Sequence, residues 1–476
     1  MDATRLKQLA WQSVIIVVSV VGAVGLGYLL VRFPLEYTLA AIFGLGILFG
    51  LIRSPWFGFL ALAFALPFER IGSVDIGGMT LRPSQVIIAC LLLYVFLGIA
   101  KRDPRIVRFH YPIAIPLVLY AIVAGFSLLN APNLSRSVSV LIFVLFTMSV
   151  SAVVPLFLNT EKKLQLATRV LLASMAVVTV FGIYQWVGDF IGLPPALTGL
   201  RELYTKDVLG FPRVQSTALE PLYFANYLLL PLCLLTALFI RGSKLIPVWL
   251  QLGLLALGFA NLALTVARGG YIAMAGSLTV LIVWYFVNQR LFSWRVVLSV
   301  LGVLCIGVIA ATQLEQFEGM TEKIQSHVLN IFGGASFNER ALTFEQATAA
   351  FQTHPWIGIG PGSFGPTVSP HPMIQPETGW AIVNNVYLET LAETGVFGAL
   401  ALFSAVLIVI LRSIYALTYG KNTQIQTLLI ATLAAFIGIL IQYNTFSVLY
   451  IIHIWFVIGF LIALQNIALA QDAKTS

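Results

Sequence analysis

Arg268, in Thr265-Val-Ala-Arg268-Gly-Gly-Tyr271, stands between two apolar blocks with almost no loop around it. Arginine at membrane depth is costly and usually functional. A turn here would lift it to the membrane boundary and lower that cost. Guanidinium stays charged and grips phosphate bidentately, and Gly269 and Gly270 let a ligand approach the backbone. Phosphate or pyrophosphate binding is the chemistry that suits this setting; the plain alternative is a snorkelling interfacial arginine. Arg213, in Gly210-Phe-Pro-Arg213-Val-Gln-Ser-Thr-Ala-Leu-Glu220-Pro, precedes another apolar block. It can share an anionic ligand with Arg268, or simply pair with Glu220 or Asp207.

Two further stretches carry polar or glycine-shaped features. His354-Pro-Trp-Ile-Gly358-Ile-Gly360-Pro-Gly362-Ser-Phe-Gly365 is glycine-rich, but no Lys-Ser/Thr follows and no strand-to-helix context is evident. A nucleotide loop is therefore excluded, and the stretch reads as a turn holding backbone against a ligand or a helix end. Val383-Asn384-Asn385-Val-Tyr387-Leu-Glu389-Thr-Leu-Ala-Glu393-Thr-Gly395-Val-Phe-Gly398 opens an apolar block. Its asparagines can cap a helix or bond sugar hydroxyls. Glu389 and Glu393 enter a membrane helix, which is expensive unless they are paired or functional. No His-Glu-x-x-His, cysteine cluster, Asp-rich loop or Gly-x-Ser-x-Gly elbow occurs, so neither a metal nor another cofactor is expected.

The elements that must position these residues are membrane helices. Of 476 residues, 59% are hydrophobic and 10% charged, and the mean hydropathy is +0.94. Soluble domains run at about 25% charged, so an ordinary soluble enzyme is excluded. Unbroken apolar blocks such as Val14–Val31 argue against the alternating strands of a membrane barrel. Spans are predicted near 14–31, 37–52, 55–68, 84–100, 111–129, 138–158, 167–188, 222–240, 245–266, 271–288, 296–312, 393–411, 424–442 and 447–465. The expected fold is an all-α polytopic bundle of about 12–14 transmembrane helices.

The chain divides into N-terminal helices (1–188), an outer loop (189–221), helices with the Arg-Gly turn (222–312), a large outer loop (313–392) and C-terminal helices with a short tail (393–476). The large loop carries Phe317, Met320, Ile324, Val328 and Ile331, then Phe337, Ala341, Phe344, Ala347 and Phe351, two amphipathic helical patterns. The formal charge is +8, with 27 Lys+Arg against 19 Asp+Glu. Basic residues such as Lys101, Lys162, Arg241, Arg412 and Lys421 gather in alternate loops. The positive-inside rule then places both termini in the cytoplasm and both long loops outside. The charge sets topology, and no nucleic-acid partner is expected.

The order of these features resembles the O-antigen ligase / O-antigen polymerase superfamily. An Arg precedes one span, an Arg-Gly turn joins two spans, and a large outer loop carries Arg340 and Pro355-Trp-Ile-Gly358-Ile-Gly360-x-Gly362-x-Phe364. Asn385-x-Tyr387-Leu-x-x-x-x-Glu393-x-Gly395-x-x-Gly398 follows. The resemblance implies a bacterial inner-membrane glycosyltransferase of cell-envelope polysaccharide biosynthesis. Its donor would be a glycan on polyprenyl (undecaprenyl) pyrophosphate, its acceptor a glycan, lipid or protein, and its surroundings membrane lipids. It implies Arg213, Arg268 and Arg340 as donor-pyrophosphate residues, and Asn385, Tyr387, Gly360 and Gly362 as acceptor or glycan residues. Where the family usually has His-Asn this chain has Asn384-Asn385. The candidate catalytic residues are thus Asn384, Glu393 and His371, thirteen residues upstream of Asn384. The acceptor hydroxyl is expected to be oriented rather than deprotonated early, with its proton passing late to a donor phosphate. Rival readings are a flippase for lipid-linked sugars, a protein O-oligosaccharyltransferase and a non-catalytic assembly partner.

Overall fold

A computed structural model describes residues 53–71, 74–76, 79–104, 109–289, 335–377 and 379–472, with Gly46 and Gly50. The predicted spans 14–31, 37–52 (but for Gly46 and Gly50) and 296–312, and the pattern from Phe317 to Ile331, lie outside the described residues.

Every other predicted span is a helix. In chain order these are α1 (Pro55–Ala65), α2 (Pro83–Ala100), α3 (Ala114–Ser127), α4 (Leu134–Met148), α5 (Val150–Phe157), α6 (Glu161–Phe190), α7 (Pro221–Ile240), α8 (Val248–Leu264), α9 (Arg268–Gln289), α10 (Ala335–Thr353), α11 (Val386–Tyr419), α12 (Thr423–Gln442) and α13 (Ile452–Asp472). Among the described residues, eight stretches are long and apolar enough to cross a membrane, α4 and α5 together forming one of them. The chain is an integral membrane protein with an all-α bundle. One small departure is a hairpin of β1 (Val74–Ile76) and β2 (Met79–Leu81), paired antiparallel with Val74 opposite Leu81.

The helix starts follow from local chemistry. Pro55, Pro83 and Pro221 open their helices, where the missing N–H costs nothing. Asn133, Asn385 and Asn422 cap α4, α11 and α12 by accepting amides of the first turn, which removes orphan donors at the membrane boundary.

α7 and α13 form the centre, with 94% and 89% of their apolar windows buried, against 33% for α2. α12 packs against both of them and against α9. Polar side chains join the central helices: Asn226 Nδ2 donates to Gln442 Oε1 at 2.8 Å, and His453 Nε2 lies 2.7 Å from Asn226 Oδ1. In lipid, where apolar burial does not drive helix association, such bonds fix the pairing.

The starts of α4, α7, α9, α11 and α13 and the ends of α1, α6, α8 and α12 meet at one end of the bundle. Val214 N donates to Leu264 O, and Val386 N to Tyr443 O, both at 2.9 Å. This site end receives every functional candidate.

Candidate active site

The Arg-Gly turn is built by a forced backbone. Val266 has φ 47°, a genuine outlier for a β-branched residue. It ends α8 and lets Arg268 open α9 two residues later. Gly270 sits against Ala225 of α7, and Gly269 against Thr445. The two glycines are thus spent on helix packing, so the close approach they permit is to protein. Arg213 reaches the same turn: its Nε donates to Thr265 O and its Nη2 to Val266 O, both at 3.1 Å. Neither Glu220 nor Asp207 forms an ion pair with it; Glu220 instead meets Arg70 at 3.6 Å.

Three arginines converge here. Burial pushes the Arg213 guanidinium below its ordinary range, and the positive charge of Arg268 pushes the same way. Arg340, on α10, is lowered by the same two causes in the same order. The charge of Arg268 therefore acts on both Arg213 and Arg340. Glu220 and the Tyr204 and Tyr271 hydroxyls also act on Arg213, and a cluster rich in guanidinium groups suits an anionic ligand.

The glycine-rich stretch and the start of α11 interlock. α11 breaks at Gly395, whose φ of 63° and ψ of −169° are not helical. Ile359 N and Gly360 N donate to Ala392 O and Glu393 O at 3.0 and 2.8 Å, while Val396 N and Phe397 N donate to Pro355 O and Trp356 O at 2.8 and 3.2 Å. A Cβ on Gly358 would strike the Glu393 backbone, and one on Gly395 the Trp356 backbone. The Glu393 carboxylate completes the lock by accepting Gly362 N at 2.8 Å and Phe364 N at 3.2 Å. The expense of a membrane carboxylate is thereby offset by two amide bonds.

The lock rests on the start of α4. Asn130 Nδ2 donates to Gly358 O, Arg136 Nε to Gly362 O and Asn133 Nδ2 to Pro372 O, each at 2.9 Å. The Ser137 and Ser363 hydroxyls lie 2.7 Å apart. Gly360 and Gly362 press on Ala131 and Val140, so those faces are filled by protein.

Asn385 Oδ1 caps α11 through Tyr387 N and Leu388 N, both at 3.0 Å. Tyr387 Oη donates to Leu440 O at 2.6 Å. Asn384 adopts φ 58°, and its backbone N–H donates to Ser447 Oγ at 3.0 Å. His371 is exposed in the loop after Val368. The structure thus gathers the arginines in one cluster and the Asn384–Glu393 motif with the glycine stretch in another, and leaves His371 on the rim.

Arg136, Asn130, Asn133, Arg70 and Glu220 were not singled out as site residues from the sequence. Arg136 and the two asparagines stand just before or inside an apolar block, where polar groups invite a reason. Glu69-Arg70 breaks the apolar run after α1 in the same way.

Residues 253–403 match the O-antigen ligase family. This segment contains Arg268, Arg340, the glycine stretch and Asn384 to Gly398, and it bears out the resemblance carried by their order. The match supports a membrane glycan enzyme of the O-antigen ligase/polymerase type. No curated protein matches it.

Proposed function

We propose that this membrane glycan enzyme transfers or polymerises glycans from a polyprenyl pyrophosphate donor at the non-cytoplasmic face of the inner membrane. The convergence of Arg213 and Arg340 on Arg268 carries the reading. A prenyl diphosphate brings two phosphates to the membrane boundary, where the arginines are held. Arg213 commits its Nε and Nη2 to backbone carbonyls, which fixes its plane and leaves Nη1 for the ligand. As the glycosyl bond breaks, negative charge grows on the leaving diphosphate, and preorganised guanidinium groups stabilise that growth. Asn384, at the same end of the bundle, orients the acceptor hydroxyl. Asn385 and Tyr387 hold the helix start that carries Asn384, and Glu393 holds the glycine turn.

The test is turnover. Purified in detergent and given lipid-linked glycan isolated from its own cells, the protein is expected to release undecaprenyl pyrophosphate as glycan is transferred. Translocation of the lipid-linked glycan across vesicles without any release would instead identify a flippase. In the same assay His371→Ala should stay within about tenfold of wild type, below the ~10²–10⁴-fold value of a general base. A collapse with donor binding intact would make His371 the base.

The orientation is tested by labelling. Ser363 is buried against Ser137, whereas Met373 is 75% exposed in the loop that the lock carries. Met373→Cys should react with an impermeant thiol reagent in cells whose outer barrier has been permeabilised. Reaction only after lysis would reverse the topology.

A further inference from the structure

The two asparagines before α11 divide their roles. Asn385 commits its Oδ1 to the first-turn amides of α11, and its Nδ2 lies 3.5 Å from Asn444 Oδ1. Asn384 commits only its backbone. Among the described residues its side-chain amide has no hydrogen-bond partner. A carboxamide carries both donors and an acceptor, so both remain available to a ligand. Where that amide stands is set by a left-handed backbone, φ 58°. Asparagine visits this region more readily than most residues, but such a conformation persists only where the surroundings over-determine it.

Here a carboxylate and a serine do so. Glu389, in the first turn of α11, reaches back and accepts Val383 N at 3.1 Å. The same Oε2 accepts the Ser447 hydroxyl at 2.5 Å, and Ser447 Oγ in turn accepts Asn384 N at 3.0 Å. The hydroxyl hydrogen therefore points at the carboxylate, which leaves a lone pair of the same oxygen for the Asn384 N–H. Ser447 is buried, so Glu389 decides its rotamer. Two residues on, Val386 N donates to Tyr443 O at 2.9 Å. The backbone is thus anchored before, at and after Asn384.

A second link ties this segment to the arginine cluster. Thr343 Oγ1 of α10 lies 3.0 Å from Arg340 O and 3.3 Å from Val383 O. One hydroxyl joins the turn that carries Arg340 to the residue before Asn384. The two residues are thereby held in register. Transfer between two bound partners needs such register, since a misplacement of 1 Å can cost about 10²-fold.

We propose that Glu389 is a positioning residue of glycan transfer, acting through Ser447 to hold Asn384 in its left-handed conformation with the side-chain amide free for the acceptor hydroxyl. This role rests on the glycan-transfer reading. Glu389 takes no proton from the acceptor; what it supplies is an oxygen that accepts two hydrogen bonds. The carbonyl oxygen of glutamine can accept the same two. A positioning carboxylate therefore tolerates glutamine, whereas a general base replaced by glutamine would lose about 10²–10⁴ in rate.

The experiment follows release of undecaprenyl pyrophosphate from the isolated lipid-linked glycan in wild type, Ser447→Ala, Glu389→Ala and Glu389→Gln. Undecaprenyl pyrophosphate binding is measured on each. Ser447→Ala and Glu389→Ala should lower kcat roughly 10–10²-fold and keep undecaprenyl pyrophosphate binding, and Glu389→Gln should recover most of the rate that alanine loses. In an Asn384→Ala background, Ser447→Ala should cost nothing further, because the amide that it aims is gone. Wild-type kcat in both alanine variants, loss of undecaprenyl pyrophosphate binding along with the rate, or an equal further loss from Ser447→Ala without Asn384 would each overturn the proposal. Should the alanine variants fail to fold, Glu389→Gln decides alone, and a fall of about 10²-fold or more in it would make Glu389 a base instead. Failure of the glycan-transfer reading looks different: wild type itself would show no turnover.

Discussion

Arg268→Ala is expected to lose glycan transfer while its expression and membrane insertion stay normal. Removing one preorganised donor from a site of developing charge typically costs about 10²–10³ in rate. The loss here should reach at least that, because the charge of Arg268 acts on both Arg213 and Arg340. Arg213→Ala should fall as well and should also loosen the Thr265–Val266 turn, whose carbonyls it holds. Lysine at 268 should rescue poorly, since an ammonium lacks the planar fork. The measurement is release of undecaprenyl pyrophosphate from the isolated lipid-linked glycan. Wild-type turnover in both alanine variants would remove the arginines from donor binding.

The second large effect is on stability. Gly358→Ala and Gly395→Ala should each cost roughly 2–5 kcal/mol, combining left-handed strain with overpacking. At both positions the new methyl meets backbone of the opposing segment, which has no rotamer with which to yield. Gly192 separates the two contributions. Its φ is 88°, and nothing lies within 4 Å of a Cβ there, so Gly192→Ala should show the strain alone. Thermal unfolding in detergent would rank the three variants. A shift in Gly358→Ala no larger than that in Gly192→Ala would mean that the lock gives way easily.

The spans were legible because a membrane helix announces itself within about twenty consecutive residues; the structure places α7 and α12 almost at their expected limits, while α6 starts earlier, at Glu161. Arg268 was legible for the same reason, as a charge inside an apolar run. The lock was only half legible. The glycine stretch and the Asn384–Gly398 motif each stood out, but their pairing joins residues such as Ile359 and Ala392, and no local pattern records that. Asn385 illustrates a choice that sequence leaves open: a helix cap and a sugar ligand call for the same amide, and the structure shows it capping. Glu220 was read as a possible partner of Arg213; its actual partner, Arg70, stands about 150 residues earlier in the chain, where no local pattern points to it. The hairpin at 74–81 had a signal that went unused: Val74-Asp-Ile and Met79-Thr-Leu alternate about Gly77-Gly78, a usual sign of a tight β-turn.

The way α4 holds the lock sets a schedule for biosynthesis. Arg136 and its carbonyl partner on Gly362 are 226 residues apart. At about 5–20 residues per second, ribosomes deliver Gly362 roughly 10–45 s after Arg136. Through that interval the start of α4 stands without the carbonyls it will bond, so it must wait where water can solvate a guanidinium. The glycine stretch emerges next, and the lock closes when α11 follows some 35 residues later. Assembly of this end of the bundle is therefore a late event, timed by translation of the 386–398 segment rather than by insertion of the first helices.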